Sequence, residues 1–453
     1  MSTETKKVKR AEFVTKLGVI AASVGSAVGL GNIWRFPYEA GTHGGGAFML
    51  FYLLFIIVLG VPVMTAEFVM GRGARANIMG GWRKLASARV WHLTGYMGIL
   101  ASLMILSFYS VVAGWTLEYM VQSAAGALDL LSMDDYHARF DEFSTGNWRP
   151  LMWTLVFLIV NFVILARGVA KGIERVSNVL MPVLFVLLIV FCVNSLMMPG
   201  AAEGLTFLFA PDFSKISGSV ILGALGQAFF SLSLGLGCMM TYGSYFNSGT
   251  RLVRSASVIA GLDTLVAVLA GVIIFPAVFT YGSSPAAGPT LVFEVLPNIF
   301  HQLPGGVIWS TLFFFLLFVA SLTSTISMSE ISIAFFTEEK GMSRRRATAV
   351  SAGVAMFFGA LCALSFGVLG DITVGGLTIF GLFDYVTSNI MLPVGGLAVS
   401  LFAGWFIDRC MLRGQLTNNG SLRMPGLPVL MFCLRYICPL GIALVFLNVL
   451  GVI

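Results

Sequence analysis

Apolar runs about as long as a lipid bilayer is thick recur from one end of the chain to the other. Each run has roughly 20 residues, which is enough for an α-helix to cross a hydrocarbon core about 30 Å thick. In lipid every backbone polar group has to be paired inside the protein, so runs of this kind predict helices. The sequence therefore predicts an all-α integral membrane protein with 11 transmembrane helices, at residues 14–37, 47–71, 95–121, 150–166, 173–197, 218–246, 254–280, 305–336, 346–369, 376–407 and 427–451.

Basic residues are distributed unevenly among the loops between these spans. Of the 27 Lys and Arg residues, 22 lie in the N-terminal segment and in every second loop, and three lie in the remaining loops. Cytoplasmic loops of membrane proteins carry the excess of Lys and Arg. We therefore expect a cytoplasmic N-terminus, a retained first span and an extracytoplasmic C-terminus. The net charge of +6 reflects this asymmetry, so we expect the lipid bilayer as a partner and no nucleic acid.

Composition and the lack of certain motifs exclude several classes of protein. With 57% hydrophobic and 11% charged residues, the chain is neither disordered nor an ordinary soluble globule. The sequence has no Walker loop, no HExxH motif and no visible set of nucleophile and base, so we expect no enzyme and no ATP-driven motor. The six cysteines lie in or beside spans, which argues against a disulfide framework and favours a bacterial inner (plasma) membrane. Function is then expected from the polar residues within the spans.

Two spans carry sequences that disfavour a continuous helix. The first contains GSAVGLGN at 25–32, and the sixth contains SLSLGLG at 231–237. Glycine costs about 1 kcal/mol relative to Ala in a helix interior, and unwound backbone is tolerated in a membrane only inside protein or along a cavity. Glycines in single spans often serve close helix packing instead. Matched breaks in two five-span halves favour an inverted-repeat transporter, with its site where the breaks meet.

Five segments resemble, in order and spacing, the signature segments of the neurotransmitter:sodium symporter family. They read AVGLGNIWRFPYEAGTHGGGAFMLFY (27–52), SFYSVVAGWTLEY (107–119), GQAFFSLSLGLGCMMTYGSY (226–245), GPTLVFEVLPNIF (288–300) and ASLTSTISMSE (320–330). The similarity covers nearly the whole chain, and eleven spans are shared by many bacterial amino-acid transporters of this family. The resemblance implies the leucine-transporter fold, a 5+5 inverted repeat with helices 1 and 6 broken. The repeats would cover about 13–197 and 218–407 of a single transporter domain, 1–453, with 427–451 as an extra helix.

The resemblance also implies two sodium sites made of oxygen atoms, the ligands that hard cations prefer. The first site maps onto the substrate carboxylate and onto Ala27, Asn32, Ser231 and Asp263. The second site maps onto Gly25, Val28, Ala320, Thr323 and Ser324. Sites with many carbonyl and hydroxyl ligands and little charge suit a monovalent ion.

Asp263 departs from the pattern of the family, in which many members carry Asn at this position. Animal relatives bind a chloride ion nearby. An acidic residue in the middle of a span is costly in lipid and is therefore functional by default. Our hypothesis is that Asp263 supplies the negative charge itself, so that transport uses sodium ions and needs no chloride. The alternative is a buried carboxylate that neighbouring helices satisfy.

The substrate class follows from Gly29, where relatives that carry monoamines have Asp. The free amides near Leu30 and Gly31 and the hydroxyl of Tyr109 are instead expected to hold a carboxylate, as amides at helix termini do. The pocket for the substrate's side chain maps onto Ile105, Phe230, Ser233, Leu236 and Met328. Leu236 replaces the Phe of a bacterial member, which leaves room for a larger apolar group. Together these residues predict a hydrophobic α-amino acid, although each apolar residue taken singly fits plain packing equally well.

Charge pairs and aromatic residues are expected to gate the site on its outer side. Arg35 lies on the outer side of the first break, where it would face Asp384 of the tenth span. Tyr109 and Phe230 would form an aromatic lid beneath this pair. This arrangement explains why a permanent charge occupies the middle of an apolar span.

An inner gate is expected between Arg10 and Glu338, with Tyr245 nearby. Family members usually carry Trp three residues after that Arg, whereas this chain has Phe13. The inner seal is therefore expected to differ in detail. The alternative for the pair is an incidental loop contact, because surface ion pairs are often worth little.

Gly172 and Pro182 enclose nine residues at the start of the fifth span. The same spacing in related bacterial members lets that helix unwind and admits water to the second sodium site. A simple proline kink is the equal alternative here. Glu67 is expected to bond the freed backbone of the breaks, and Arg435 to extend its side chain toward the inner face.

These expectations combine into one function, the sodium-coupled uptake of an amino acid by alternating access. A membrane sensor or receptor of the same fold without net transport is the main alternative, and a channel is a second. The exact substrate, the stoichiometry and the oligomeric state stay open from the sequence.

Overall fold

The computed structural model describes residues 16–128, 133–168, 173, 175–282, 284–285, 292–301 and 304–449. Within these ranges the chain is helical between its loops and turns, and the one pairing of strand type is an isolated bridge between Val374 and Leu377. The predicted all-α class is confirmed for this part of the chain.

Nine helices of the described ranges are long and apolar enough to cross a membrane. They correspond to nine of the eleven predicted spans and cover Gly46–Ala74, Val90–Ala124, Trp148–Leu165, Arg175–Leu196, Leu252–Thr280, Gly306–Glu338, Arg344–Leu364, Ile379–Phe406 and Leu427–Leu444. The first and sixth predicted spans are missing from this set. They are the two spans that contain Gly-Leu-Gly.

The first span is broken where the sequence predicts. Its N-terminal half is the α-helix Lys16–Ala27, after which the chain bends at residues 28–29. The C-terminal half starts with a π-helical turn, Gly31–Arg35, and continues as the α-helix Phe36–Thr42. A π-helical turn contains one more residue than an α-turn and is common at functional sites.

The sixth span is broken by a longer stretch of turns. The α-helix Gly218–Ser231 ends there, and the short α-helix Cys238–Gly243 continues the span. Ser233, Gly235 and Gly237 lie between them with φ angles of 52°, 83° and 81°. Only glycine adopts such angles without steric cost, so the two glycines make this break possible and Ser233 is held in it by its surroundings.

The third and eighth spans form the centre of the bundle and pack along each other. In the most apolar window of the third span 78% of the residues are buried, whereas in the eleventh span only 22% are. One hydrogen bond joins this pair, between the Ser123 and Ser310 hydroxyls, which are 2.7 Å apart. The third span is therefore central, and the eleventh span lies at the periphery.

Shorter helices and further π-helical turns complete the described fold. The connecting helices are Ile78–Leu85, Met133–Ser144, Ala201–Phe209, Phe213–Lys215 (a 3₁₀-helix), Val295–His301 and Arg409–Thr417. The π-helical turns inside long spans are Ile56–Gly60, Val386–Met391, Phe402–Phe406 and Cys433–Ile437. Each turn widens its helix locally and shifts the faces that follow it.

Arg72, in the last turn of the second span, joins three segments that are far apart in sequence. Its guanidinium donates to the carbonyl of Thr250 and to the side-chain oxygen of Gln415, each at 2.6 Å. It also donates to the backbone carbonyl of Gln415 and to the side chain of Asn418. We call this set of contacts the Arg72 clamp, because it connects the second span to the loop after the sixth span and to the helix Arg409–Thr417.

Candidate functional site

The two broken helices meet at a cluster of buried polar side chains. The amide nitrogen of Asn32 donates to the carboxylate of Asp263 at 2.8 Å and to the hydroxyl of Ser231 at 3.0 Å. The Ser231 hydroxyl in turn donates to the other carboxylate oxygen. Three of the four residues predicted for the first sodium site are thus in direct contact. The fourth, Ala27, is the last residue of the helix Lys16–Ala27 and is also buried.

The side-chain amide of Asn32 is oriented differently from what a sodium ligand requires. Its oxygen accepts from the amide of Gly29 at 3.0 Å, and its nitrogen faces Asp263. A buried carboxylate is stabilised by N–H donors, which explains this orientation. An ion that took both Asp263 and Asn32 as ligands needs the amide oxygen on the carboxylate side, and a half rotation of the terminal amide provides it.

Residues predicted for the second sodium site also lie together, between the first and eighth spans. The hydroxyl of Ser324 donates to the carbonyl of Val28 at 3.0 Å and approaches that of Gly25 at 3.5 Å. The hydroxyl of Thr323 donates to the carbonyl of Ala320 at 3.0 Å. All five residues are buried, and their carbonyl and hydroxyl oxygens form a polar cluster without charge.

The second break is stabilised by Glu67 of the second span. Its carboxylate accepts from the backbone amide of Gly235 at 2.8 Å and from that of Met240 at 3.2 Å. These amides lie in and directly after the unwound stretch, where the helix offers them no partner. The expectation that Glu67 bonds the freed backbone is confirmed.

The backbone around Gly29 is crowded by polar side chains. Tyr109 accepts a hydrogen bond from the amide of Leu30 at 2.7 Å. A Cβ atom on Gly29 would lie 2.2 Å from the hydroxyl oxygen of Ser324 and 2.3 Å from that of Tyr109. A side chain at this position would have to displace both hydroxyls. The structure thus brings together the amide of Leu30 and the hydroxyl that the sequence predicts for a carboxylate.

The apolar residues predicted to surround the substrate are buried around this point. Ile105 lies one helical turn before Tyr109, and Met328 lies one turn after Ser324, so each shares a face with a polar residue of the site. Leu236 lies within the second break and is almost fully buried. The other two residues predicted for this pocket are Phe230, which is half-buried, and the polar Ser233. The hydroxyl of Ser233 donates to the carbonyl of Ser26 at 3.4 Å.

Arg35 covers the site from the predicted outer side. Its guanidinium lies 3.4 Å from the carboxylate of Asp384 and 3.2 Å from the hydroxyl of Ser388. The guanidinium carbon also lies 4.5 Å from the centre of the Phe230 ring, a cation–π distance. A Cβ on Gly31 would lie 3.0 Å from that ring. The pair predicted for the outer gate and one residue of its aromatic lid are therefore adjacent.

A second carboxylate reaches Arg35 from its own helix. Glu39 lies 3.5 Å from the Arg35 Nε atom and 3.2 Å from the Nδ1 atom of His43. The hydrogen bond to Glu39 raises the pKa of the His43 imidazole above its ordinary value. His43 follows the helix Phe36–Thr42, so a titratable group is linked through Glu39 to the predicted outer gate.

At the opposite end of the bundle the predicted inner gate is described only in part. Arg10 lies outside the described residues. Glu338 accepts from the backbone amide of Asn77 at 2.8 Å. Tyr245 donates to Glu330 at 2.8 Å, and Arg344 binds the same carboxylate with a contact of 2.7 Å. Glu330 thus joins the sixth, eighth and ninth spans.

The fifth span approaches the second cluster at its predicted hinge. Pro182 lies inside the helix Arg175–Leu196, and Gly172 lies outside the described residues. A Cβ on Gly25 would lie 3.6 Å from the side chain of Met181, the residue before this proline. The residue next to Pro182 therefore packs against the first span.

Two polar residues at the site were missed from the sequence. Gln227 donates to the carbonyl of Gly31 at 2.6 Å, and Ser388 donates to Asp384 at 2.9 Å. Gln227 lies one helical turn before Ser231 in an apolar span, and this spacing was the available signal. Ser388 lies one turn after Asp384 in the same way. The partners of both residues depend on how distant spans pack.

The described residues contain no group of three or more His, Cys, Asp or Glu side chains placed to hold a metal ion. The polar centre consists of hydroxyls, carbonyls, amides and one carboxylate. Such a donor set suits a weakly bound monovalent ion and a zwitterion, and it fits transport better than acid–base chemistry. A helical membrane protein with two interrupted spans around such a centre has the architecture of a secondary transporter.

Comparisons with known proteins identify the family. Residues 10–139 and 132–452 match the model of the sodium:neurotransmitter symporter family. The chain is 42% identical over 98% of its length to an uncharacterized sodium-dependent transporter, YhdH, of Bacillus subtilis strain 168, and covers 99% of that protein. An uncharacterized sodium-dependent transporter of Haemophilus influenzae is 35% identical, with 99% of each chain covered. The protein belongs to the sodium:neurotransmitter symporter family.

A solved structure of a family member is similar along almost the whole chain. The crystal structure of MhsT in complex with L-phenylalanine superposes with a TM-score of 0.91 at 43% sequence identity. The match covers 97% of this chain and 100% of that chain. The fold predicted from the resemblance, with its broken first and sixth helices, is confirmed.

Proposed function

We propose that this protein is a sodium-coupled symporter that takes up a hydrophobic L-amino acid by alternating access. One observation carries the proposal: both broken helices direct polar groups to one buried centre, where Asn32, Ser231 and Asp263 are in contact. The similar structure of MhsT holds L-phenylalanine, which supports an amino acid with an apolar side chain as the cargo.

Two sodium ions are proposed as co-substrates. The first ion would use the Asp263 carboxylate with the oxygens of Ser231 and Asn32, after rotation of the Asn32 amide. The second would use the carbonyls and hydroxyls between the first and eighth spans, where Ser324 contacts Val28. Because Asp263 already provides a negative charge, chloride is not needed in this proposal.

The substrate carboxylate is proposed to bind beside the first break. The amide of Leu30 and the hydroxyl of Tyr109, which bond each other at 2.7 Å, would both turn to it. The first sodium ion would also contact this carboxylate, so each ligand strengthens the binding of the other. Buried apolar residues, Ile105 and Leu236 among them, would then select an aliphatic or aromatic side chain.

Alternating access is proposed to open one end of the bundle at a time. The contacts of Arg35 with Asp384 and Phe230 support an outer gate above the site. Opening inward would involve the fifth span, whose Met181 packs at Gly25 beside the second cluster. Pro182 removes one backbone hydrogen bond there, and this lowers the barrier to unwinding.

The energy available from two ions is sufficient for this task. A charge that crosses 100 mV gains about 2.3 kcal/mol, and a tenfold sodium gradient adds about 1.4 kcal/mol. Two ions together provide roughly 7 kcal/mol, which corresponds to about a 10⁵-fold accumulation of a zwitterion.

The proposed setting is the bacterial inner membrane, with the N-terminus in the cytoplasm. The distribution of Lys and Arg among the loops supports this orientation. The predicted repeats, about 13–197 and 218–407, fit this membrane setting, because inverted repeats place the two breaks at the same depth in the bilayer.

Uptake by purified protein in lipid vesicles tests the proposal. Labelled L-phenylalanine, L-leucine and L-tryptophan are offered with an inward sodium gradient and, in parallel, with sodium at equal concentration on both sides. We expect accumulation of at least one of them with the gradient only. Saturable sodium-dependent binding without accumulation would identify a sensor or receptor instead and reject the proposed transport.

A further inference from the structure

Arg435 lies in the eleventh span, where a permanent charge is costly in lipid. Its guanidinium donates to the carbonyl of Gly404 at 2.8 Å and lies 5.5 Å from the centre of the Trp405 ring. The Trp405 indole donates back to the carbonyl of Arg435 at 3.2 Å. Two π-helical turns, Phe402–Phe406 and Cys433–Ile437, make this reciprocal contact, so the charge is held in place by the fold.

Close approach of the tenth and eleventh spans creates this arrangement. A Cβ on Gly404 would lie 2.9 Å from the carbonyl of Leu434 and 3.1 Å from the Cα of Arg435. The absence of a side chain at Gly404 therefore lets the two backbones come together. The side chain of Arg435 lines a space next to this contact.

That space is a cavity of about 220 Å³ with two further arginines on its wall. Arg409 and Arg413 belong to the helix Arg409–Thr417 and lie one turn apart, on the same face. The cavity is thus lined by three arginines from two separate elements. Like charges around one cavity repel one another, and an anion bound between them relieves this repulsion.

Acidic side chains do not balance these three charges in the described part of the chain. None of the three arginines forms an ion pair there. Asp408 precedes them, but its carboxylate caps the helix and accepts from the amides of Cys410 at 3.2 Å and Met411 at 3.1 Å. Asp408 is also not among the residues that line the cavity.

The remaining wall of the cavity is apolar and continues onto the outer surface of the bundle. Its apolar side chains are those of Ala403, Trp405, Ile407, Leu412, Leu427 and Met431. Trp405, Phe432 and Tyr436 are each at least half exposed beside it, and their rings are in contact. Exposed aromatic residues of this kind are typical of the boundary between headgroups and acyl chains. A soluble anion would use the arginines but not this apolar surface.

We propose that the cavity binds the phosphate headgroup of an anionic phospholipid, with its acyl chains along the eleventh span. The three arginines hold the phosphate, and the aromatic surface contacts the first methylenes of the chains. The cavity lies at the inner end of the bundle according to the proposed orientation, so the cytoplasmic leaflet supplies the lipid. Basic pockets between transmembrane helices on that side suit anionic headgroups.

Native mass spectrometry of the detergent-solubilised full-length protein tests this site. The protein is titrated with dioleoyl phosphatidylglycerol, and the populations with one bound lipid give the affinity. The pocket variant combines Arg409→Gln, Arg413→Gln and Arg435→Gln. We expect its affinity for the first lipid to fall roughly 100-fold, as basic residues at anionic lipid surfaces contribute additively.

A matched variant controls for the loss of charge alone. Arg254→Gln, Arg345→Gln and Arg346→Gln remove three exposed arginines from the same predicted side, away from the cavity. We expect this variant to keep its affinity within about threefold of the unmodified protein, a difference under 1 kcal/mol. An equal loss in both variants, or no loss in the pocket variant, overturns the proposal.

A second variant addresses folding, since Arg435 also bonds backbone. Arg409→Gln with Arg413→Gln leaves Arg435 and its contact with Gly404 in place, and we expect roughly a 30-fold loss. If the triple variant does not fold, this double variant decides the outcome by the same criterion.

Two further ligands distinguish the source of the phosphate. Dioleoyl phosphatidylcholine, which has no net charge, is expected to bind at least about tenfold more weakly than phosphatidylglycerol. Inorganic phosphate at the same concentration is expected not to displace the bound lipid. Equal binding of the two lipids, or displacement by inorganic phosphate, shows that the cavity is not a site for an anionic phospholipid.

Discussion

Gly29 illustrates how a single residue defines the centre of this molecule. The backbone there passes within van der Waals contact of Ser324 and Tyr109, and any Cβ would overlap both hydroxyl oxygens. Glycine thus allows these hydroxyls to approach the backbone of the first span, in addition to its role in interrupting the helix. The same contact brings the proposed carboxylate site next to the proposed second sodium site.

Gly29→Ala is expected to abolish uptake while most of the fold survives. Overpacking of this kind costs about 1–3 kcal/mol, and here it falls on the ligand-binding backbone. Sodium-dependent binding of labelled substrate should weaken at least about tenfold, which corresponds to 1.4 kcal/mol. Gly226→Ala is the matched control, because a Cβ at that position meets nothing within 4 Å. Normal binding by the Gly29 variant would refute the proposed location of the carboxylate.

Asp263→Asn is expected to make uptake depend on chloride. The substitution keeps the shape of the side chain and removes the negative charge that contacts Asn32 and Ser231. Hydrogen bonds to a charged group contribute about 1.5–3 kcal/mol, so half-maximal uptake should require roughly tenfold more sodium in gluconate buffer. Addition of chloride should restore part of the loss. Sodium-dependence curves in the two buffers measure both effects.

The unmodified protein and Asp371→Asn provide the controls for this experiment. Asp371 is exposed in a loop between the ninth and tenth spans, so its substitution should change neither curve. If uptake by the unmodified protein itself collapses when gluconate replaces chloride, Asp263 does not substitute for the anion.

The residue types at the site could be predicted from the sequence, whereas the hydrogen bonds that each residue makes could not. The resemblance placed Asn32, Ser231 and Asp263 in one cluster, and the structure brings them into contact. The orientation of the Asn32 amide was missed, because it depends on which neighbour is charged. Gln227 was missed as well, since its partner is a backbone carbonyl that only tertiary packing brings near.

At the scale of elements, each break depends on partners supplied by a neighbouring span. Glu67 compensates the second break by accepting from two backbone amides, at Gly235 and Met240. Without such an acceptor, buried amides remain unpaired at a cost of about 1–3 kcal/mol each. The broken geometry is therefore as much a property of the second span as of the sixth.

Glu67→Ala is expected to destabilise the protein more than to change its substrate preference. Two buried amides lose their acceptor, which should remove about 2–6 kcal/mol of stability and lower the thermal midpoint by several degrees. Glu142→Ala, an exposed residue in the connecting helix Met133–Ser144, is the control and should leave the midpoint unchanged. Thermal unfolding in detergent followed by intrinsic fluorescence measures the midpoint. Equal midpoints in the two variants would contradict the capping role.

Breaks and π-helical turns differ in how far the sequence reveals them. The breaks follow from glycines that have intrinsic backbone preferences, so their positions in the first and sixth spans could be predicted. The π-helical turns Val386–Met391 and Phe402–Phe406 have no such local signal. They arise where a helix adjusts its register to its neighbours, which is information carried by packing.

At the scale of the whole molecule, net charge movement is the property that the proposal fixes most directly. Two sodium ions and a zwitterion carry two positive charges inward in each cycle. A potential of 100 mV, negative inside, contributes about 2.3 kcal/mol for each charge. Accumulation should therefore depend steeply on the membrane potential.

Imposing 100 mV by a potassium gradient with valinomycin should raise the accumulation ratio about 10³-fold at a fixed sodium gradient. Labelled substrate inside the vesicles at steady state measures the ratio. Vesicles without valinomycin provide the reference. A ratio that does not respond to the potential would rule out a stoichiometry of two ions with no compensating charge.

Membrane class and span positions could be predicted from the sequence, because lipid imposes simple rules on the length and composition of a span. The orientation derived from the basic residues stays a prediction. Nine predicted spans reappear as long helices, and the two that do not are the interrupted ones. The contacts that hold loops and distant spans together could not be predicted from the sequence. The Arg72 clamp is the clearest example, because two of the acceptors named above are backbone carbonyls, which every residue has.

The Arg72 clamp has a mechanical consequence for any inward opening. The guanidinium of Arg72 donates hydrogen bonds to Thr250, Gln415 and Asn418. We expect these bonds to hold the second span, the loop after the sixth span and the helix Arg409–Thr417 together as one rigid block. In the proposed transport cycle, we therefore expect a path to the cytoplasm to form away from this block, by displacement of the first and fifth spans. Spin labels at Ser248 and Gly414 should keep their separation in the presence and absence of sodium, whereas a change in it would show that the block comes apart.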